Sequence, residues 1–407
     1  MLFSYKAKSK NGEIIEGTME SADRFSLSRE LKSNGNIPIS ISEKNEKSLN
    51  LDSIPILQNI FSKVSVSEQI ILAKNLSGML RAGLSLYRAL SVLEKQTRNP
   101  KLNKILISVS AEINSGGTLS SGLAKFPNVF PNIFVSMTKA GEESGNLAGS
   151  LSEIATNLEK AHSLTKKVRG ALIYPGVIMS AMVVIGILMF AFVVPTLAKT
   201  FQDLNTQLPA STKFIISLGN LFSQHLILSF VVIIGSILGI ISLIRAKFMA
   251  KYIDFVVLRI PMIGNLAKEV NTTRTARTMS SLLLAGVSIT RAIEITEDVV
   301  QNVYFKKVLR EAKEEIEKGS TFSSAFEEHS NLYPIMMSEM VQVGEETGKL
   351  SDMLLDIAVF YEEEIENKTK NMSTIIEPIL MIIVGAGVGF FAVSMISPLY
   401  SVMDNIK

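Results

Sequence analysis

One string in this chain has the residue types of a phosphate-binding loop. Residues 344–349 read Gly-Glu-Glu-Thr-Gly-Lys, and glycine amides followed by a lysine can hold phosphate groups. The string is one residue short between its glycines, and leucine stands where Ser or Thr must reach magnesium. Two carboxylates would also face the phosphates. The string therefore does not predict a nucleotide site, and no cofactor is expected.

The other residues with catalytic or metal-binding chemistry are scattered. His162, His225 and His329 are far apart and not at ligand spacing, and the chain has no cysteine. No Ser-His-Asp order is present, so we expect no catalytic residue, no metal site and no enzyme activity. The formal charge of +3 gives no indication of a nucleic-acid partner.

The loop-like string occurs twice. Residues 141–145 read Gly-Glu-Glu-Ser-Gly, 203 positions before Gly-Glu-Glu-Thr-Gly at 344–348. The offset holds over roughly 120 residues, which predicts a duplicated domain rather than a solenoid of small units. Further pairs at this offset are Ala82-Gly83 with Ala285-Gly286, Arg88 with Arg291, Gly116 with Gly319, Phe130-Pro131 with Tyr333-Pro334, and Pro175 with Pro378.

Each copy of the string predicts a corner between two helices. Its last glycine can take the left-handed conformation that ends a helix. Its first glutamate then lies at a helix C-terminus, where the dipole disfavours negative charge, so it needs a partner. That partner is either a backbone N–H group of the turn or the duplicated arginine. The candidate structural or partner-facing residues are Gly141, Glu142, Gly145, Gly344, Glu345, Gly348, Arg88 and Arg291.

Composition indicates soluble domains joined to a few membrane spans. Of the 407 residues 47% are hydrophobic and 19% are charged, and the mean hydropathy is +0.30. Residues 172–198, 226–244 and 375–398 are each long and apolar enough to cross a bilayer. Glu377 is the ionisable residue of the third segment. It is a functional candidate by default, although it is close enough to the interface to be solvated.

The charges beside these segments predict their orientation, because Lys and Arg favour the cytoplasmic side. The loop 199–225 and the tail 399–407 are then periplasmic, and the N-terminus is cytoplasmic. The second span has no equivalent in the repeat and returns the chain to the cytoplasmic side. The two copies therefore have the same orientation in the membrane. The flanking cations are Lys160, Lys166, Lys167 and Arg169 before the first span, Arg245, Lys247, Lys251 and Arg259 after the second, and Lys199 and Lys213 in the loop.

The predicted fold class is therefore mainly α and polytopic. Residues 68–171 and 245–374 show apolar residues at helical spacing, which predicts two cytoplasmic bundles of about six short helices each. Residues 1–42 contain a hairpin-like alternation and a helical stretch, typical of a small α/β region. Residues 43–67 have the composition of a linker.

The ordered set of these features resembles one family. The segment Ala82 to Leu86, the Gly-Glu-x-Ser/Thr-Gly corner in both copies, and spans entered at Tyr174-Pro175 and Glu377-Pro378 are similar to the inner-membrane platform protein of type IV pilus and type II secretion systems, the general secretion F family. The resemblance covers nearly the whole chain. In the second copy Val287-Ser288-Ile289 replaces the Pro-Leu that is usual in this family, a mild departure that does not disturb the assignment.

The resemblance implies a non-enzymatic platform in the bacterial inner membrane. Its implied partners are a hexameric secretion ATPase, pilin or pseudopilin subunits, other inner-membrane assembly subunits and membrane lipid. Glycine pairs in the spans are compatible with a homo-oligomer. A membrane transporter and an unrelated membrane scaffold are the alternatives. A transporter usually needs more spans with buried charges, which this sequence does not offer.

An acidic run distinguishes the second copy from the first. Residues 362–366 read Glu-Glu-Glu-Ile-Glu, whereas residues 159–163 read Glu-Lys-Ala-His-Ser. The run is either a solvated helix face or a docking surface for a basic patch on the ATPase or on another cytoplasmic subunit. The candidate docking residues are Glu363, Glu364 and Glu366.

Overall fold

The structure, a computed structural model, describes residues 2–8, 14–21, 23–43, 63–203, 209, 212–217, 219, 235, 239, 242–243 and 246–405. They form two units, residues 1–63 and 64–407. Most of the expected linker 43–67 lies outside the described residues, as do most of the loop 199–225 and of the second span 226–244.

The first unit is a three-stranded antiparallel sheet with one helix. Strands β1 (Leu2–Lys8), β2 (Ile14–Glu20) and β3 (Ile37–Glu43) are ordered β2-β1-β3, and helix α1 is Arg24–Ser33. Phe3, Leu27 and Leu31 form its small apolar core. The third strand was not predicted.

The first copy of the repeat contains six helices within the described residues. They are α2 (Val66–Arg81), α3 (Leu86–Gln96), α4 (Pro100–Asn114), α5 (Leu119–Ala124), α6 (Asn132–Glu143) and α7 (Leu147–Leu188). Helix α7 is 42 residues long and continues through a π-helical turn, Met189–Val193, into α8 (Val194–Asp203).

The second copy repeats this order after a preceding helix, α9 (Lys247–Arg259). Each helix of this copy starts and ends within one residue of the position 203 residues after its equivalent in the first copy. The exceptions are the start of the first helix and the end of the last. The helices are α10 (Ile263–Leu284), α11 (Ile289–Val299), α12 (Val303–Glu317), α13 (Phe322–Glu327), α14 (Ile335–Thr347) and α15 (Leu350–Asn405). The predicted helical, duplicated architecture is confirmed.

The two copies share one hydrophobic core. A single cluster of buried residues includes Leu76 and Phe134 from the first copy and Met279 and Phe305 from the second. The sequence predicted two bundles, each large enough for its own core. The copies are joined because α7 packs on both α10 and α15 of the second copy.

Helices α7 and α15 have the length and composition of membrane spans. The continuous segments Leu147–Phe201 and Leu350–Ile396 contain windows of mean hydropathy 2.9 and 2.5. The predicted domain boundaries at residues 172 and 375 fall inside these two helices, which are continuous there. Pro175 lies inside α7. A proline inside a spanning helix is tolerated because neighbouring groups and local adjustments satisfy the freed carbonyl.

Candidate functional site

The two corners have the same geometry. Gly145 and Gly348 both have φ +71°, the left-handed conformation that ends α6 and α14. The other glycine of each corner is buried against the following helix. A Cβ atom on Gly141 would lie 2.6 Å from Ser150 Cβ, and one on Gly344 would lie 2.9 Å from Leu350 Cα. These glycines therefore permit the helices to approach closely.

The corner glutamates bind the N-termini of short helices. Glu142 accepts hydrogen bonds from the backbone N–H groups of Leu119 at 2.5 Å and Ser120 at 3.1 Å. These are the first residues of α5, where exposed amides and the helix dipole favour an anion. The negative charge at the end of α6 is thereby satisfied within the bundle.

The second copy repeats this contact. Glu345 accepts hydrogen bonds from Phe322 N at 2.6 Å and Ser323 N at 3.0 Å, at the start of α13. The donors lie 22 and 23 positions before the glutamate in both copies. In both copies the corner glutamate therefore joins the end of its own helix to the start of the helix immediately before it.

The expected arginine partners are not found. Arg291 pairs with Glu294 at 2.9 Å on the surface of α11, and Arg88 is exposed on α3. Within the described residues no ion pair joins either arginine to its corner glutamate. Of the two alternatives the arginine is not the partner in this structure, because Arg88 and Arg291 lie exposed on other helices and backbone amides at the start of α5 and α13 bind the carboxylates.

Most of the acidic run takes partners within the chain. Glu366 pairs with Lys167 of α7, and the nearby ammonium holds the pKa of this carboxyl below its usual range. Glu364 lies 3.6 Å from Lys368, one helical turn later. Glu363 is exposed, and no ion pair involves it within the described residues. Glu366 therefore connects α15 to α7, Glu364 pairs within α15, and Glu363 has no ion pair within the described residues.

The interface between the copies contains a buried ion pair that the sequence did not reveal. Arg277 Nε lies 2.6 Å from Glu362 Oε1, and their side chains are 8% and 16% exposed. Lys160 of α7 adds a second cation 3.6 Å from Glu362. Asn157 donates a hydrogen bond of 3.0 Å to Ser281 Oγ across the same interface. The sequence does contain a signal for this pair. The equivalent positions in the first copy, Lys74 and Glu159, also carry a cation and a carboxylate.

The remaining candidate residues are dispersed in the described part of the chain. Glu377 is exposed on α15, and His329 lies 3.0 Å from Glu311 at the surface. His225 lies outside the described residues. Among the described residues, no three His, Cys, Asp or Glu side chains are grouped to hold a metal ion.

The glycine pair in the apolar segment of α15 does not pack against the described part of the chain. A Cβ atom on Gly385 or Gly389 would meet no atom within 4 Å. This small-residue surface therefore faces away from the described part of the chain.

Comparison with known proteins places the whole chain in one group. Residues 72–195 and 275–398 each match the family described as type II secretion system protein F, and residues 1–42 match its N-terminal domain. The two matched segments are the two copies of the repeat.

Proteins of known family align along the chain. It is 30% identical to a type IV pilus assembly protein PilC of Thermus thermophilus, over 100% of this chain and 99% of the relative. It is 29% identical to a type II secretion system protein F of Vibrio cholerae, over 99% of this chain and 98% of the relative. A type IV pilus assembly protein PilC of Pseudomonas aeruginosa is 31% identical over 83% of this chain and 90% of the relative. The duplicated corners, the two membrane-length helices and these matches establish that the chain belongs to the type II secretion system protein F family.

Proposed function

We propose that this chain is an assembly platform of the bacterial inner membrane. In this proposal it couples a cytoplasmic secretion ATPase to insertion of pilin or pseudopilin subunits into a growing filament. The names of its relatives, a pilus assembly protein and a type II secretion system protein, support this class of function. It acts as a scaffold and not as an enzyme.

The observation that carries the proposal is the continuity of α7 and α15. Each helix begins in the shared bundle and extends without a break into a segment long enough to span a membrane. A continuous helix transmits displacement and rotation, whereas a loop at the membrane surface would absorb them. Force applied to the bundle by an ATPase is therefore delivered to the membrane.

A proline at the junction tests this coupling. Asn371 is exposed on α15 just before the third predicted span. Asn371→Pro removes a backbone hydrogen bond of α15 before its apolar segment begins and kinks or breaks the helix there, and Asn371→Ala is the matched control. In cells lacking the wild-type chain, we expect both variants to reach the membrane at equal levels and to capture the ATPase. Only the proline variant should fail to assemble filaments or secrete protein. Normal assembly by Asn371→Pro would contradict the coupling.

The proposed topology places both copies in the cytoplasm and the start of the 199–225 loop outside. Three exposed positions report it in a chain that has no native thiol: Ser144→Cys, its equivalent Thr347→Cys, and Thr200→Cys. A membrane-impermeant maleimide should label only Thr200→Cys in intact spheroplasts. Labelling of Thr347→Cys before lysis would disprove the parallel arrangement.

We propose Glu363 as the acidic residue that contacts the ATPase, because Glu364 and Glu366 have partners within the chain. Its equivalent in the first copy is Lys160. Glu363→Lys should weaken ATPase capture, most clearly at low salt, since exposed charges act mainly on encounter. Glu346→Lys, at the exposed second glutamate of the corner, is the control. Equal capture by both variants would exclude Glu363 as a docking residue.

A further inference from the structure

A polar cavity lies between the two copies, where α7 crosses α10. Its volume is about 200 Å³. Three cations and one carboxylate are among the residues that line it: Lys160, Arg274, Arg277 and Glu362. The positive charges exceed the negative charge, so this cavity favours an anion.

Arg277 has donor capacity that the described chain does not use. The residue is 6% exposed, and its Nε and Nη2 atoms are both buried and make no hydrogen bond within the described residues. Glu362 lies beside Nε, on the other part of the guanidinium. A buried guanidinium donor without an acceptor carries a large desolvation cost. An acceptor supplied by a ligand in the cavity would remove that cost.

Arg274 lies one turn before Arg277 on the same face of α10. Its polar contact within the described residues is a weak one, 3.5 Å from Nη2 to Thr165 Oγ1. Burial lowers the pKa of its guanidinium. The equivalent residue in the first copy is Ile71, so this second cation belongs to the second copy alone.

An apolar cavity of about 320 Å³ adjoins the polar one, and Arg274 and Gln301 line both. Leu172 and Met372 also line it, and they lie where the first and third predicted spans begin. The combined cleft presents cations at one end and mostly apolar side chains at the other, where Asp254, Asn271 and Asn302 also line it. The Asp254 carboxylate accepts a hydrogen bond from Val303 N. An amphiphile with an anionic head and an apolar tail matches this order, whereas a free anion would use only the polar end.

We propose that this cleft binds one anionic phospholipid, with its phosphate at Arg274 and Arg277 and an acyl chain in the apolar cavity. The inference rests on the proposed membrane location. The lipid would connect α7 of the first copy to α10 of the second. Lipid occupancy would then stabilise the contact between the copies that the platform uses to act as one body.

The test uses the full chain purified in detergent and delipidated, then titrated with phosphatidylglycerol and read by native mass spectrometry. Arg274→Gln removes the charge at the cleft, and Arg169→Gln removes an exposed charge beside the first span. Loss of a charge-assisted hydrogen bond should weaken retention of one lipid about tenfold or more in Arg274→Gln. Arg169→Gln should change it by less than about twofold, as expected for a screened surface charge.

A second variant separates a lipid from a free phosphate. Ala267 lines the apolar cavity, and Ala267→Phe fills that space without changing charge. It should weaken phosphatidylglycerol retention, and neither inorganic phosphate nor phosphatidylcholine should replace the bound lipid. Unliganded melting temperatures of the variants confirm that each is folded.

Three outcomes would overturn the inference. Equal losses in Arg274→Gln and Arg169→Gln would mean general surface attraction. Phosphate binding that Ala267→Phe leaves unchanged would mean a site for a free anion. Absence of a retained lipid would remove the site itself. Failure of the chain to fractionate with membranes would instead contradict the proposed function, so the two failures are distinguishable.

Discussion

Arg277 and Glu362 form a buried ion pair, 2.6 Å between Nε and Oε1, that is the second-copy equivalent of an exposed pair in the first. In the first copy Lys74 Nζ lies 2.8 Å from Glu159 Oε2, and both side chains are about half exposed. The same two positions thus carry an ion pair in both copies. Packing of α7 on α10 buries only the second one.

This difference predicts unequal costs for the same substitution. Glu362→Gln leaves Arg277 buried and uncompensated, so it should lower the free energy of unfolding by about 3 kcal/mol or more. Glu159→Gln removes an exposed pair and should cost at most about 1 kcal/mol. Urea unfolding of the full chain in detergent, followed by circular dichroism, measures both. Equal costs would mean that the interface between the copies is open in solution.

The corner glutamates should be more important for stability than their exposed neighbours. Glu142→Gln weakens two hydrogen bonds to backbone amides and removes a charge at the start of α5, at a cost of about 1–3 kcal/mol. Glu345→Gln should behave alike. Glu143 is exposed and lies 3.7 Å from Lys139, so Glu143→Gln is the control and should cost a few tenths of a kcal/mol. Matching urea midpoints for Glu142→Gln and Glu143→Gln would refute this role.

Because the helices approach closely at the corners, adding a methyl group to the buried corner glycine should destabilise the protein. Gly344→Ala would place a Cβ atom against the backbone of Leu350, so the helices must separate, at a cost of about 1–3 kcal/mol. Gly170 lies in α7 with open space around it, and Gly170→Ala should stabilise the helix by about 0.5–1 kcal/mol. The sign of the change in melting temperature distinguishes the two. A stabilised Gly344→Ala variant would show that the corner is looser than the structure indicates.

Because Tyr333 is buried, we expect the free energy of unfolding to fall at alkaline pH. It is fully buried, its hydroxyl lies 3.0 Å from Thr275 Oγ1, and burial raises its pKa above the usual value near 10. A raised folded-state pKa means that the unfolded chain loses its proton first. The contribution of Tyr333 to the free energy of unfolding is therefore complete below about pH 10. Above that pH it declines by at most about 1.4 kcal/mol per pH unit.

The first copy provides the matched variant, because Phe130 occupies the equivalent position. Tyr333→Phe should cost about 1 kcal/mol at neutral pH, where the bond to Thr275 is lost. The difference in unfolding free energy between the two proteins should then shrink above pH 10. A difference that does not vary with pH would contradict the assignment to this phenol.

Much of this architecture is encoded locally and could be predicted. The constant offset of 203 positions defined the duplication, and turn glycines such as Gly145 and Gly348 marked the helix ends. Hydropathy identified the apolar segments of the two helices that are long enough to cross a membrane. These features depend on backbone conformation and on apolar content over short segments, which neighbouring residues determine.

The partners of the charged side chains were decided by tertiary packing alone. The sequence could require a partner for Glu142 but could not choose between Arg88 and amides 22 and 23 positions earlier. It showed the acidic run but not Lys167, 199 positions before Glu366. Nor did it reveal that Arg277 is buried. Such contacts depend on which helix faces meet across the bundle, and the period of a single helix contains no information about its neighbour.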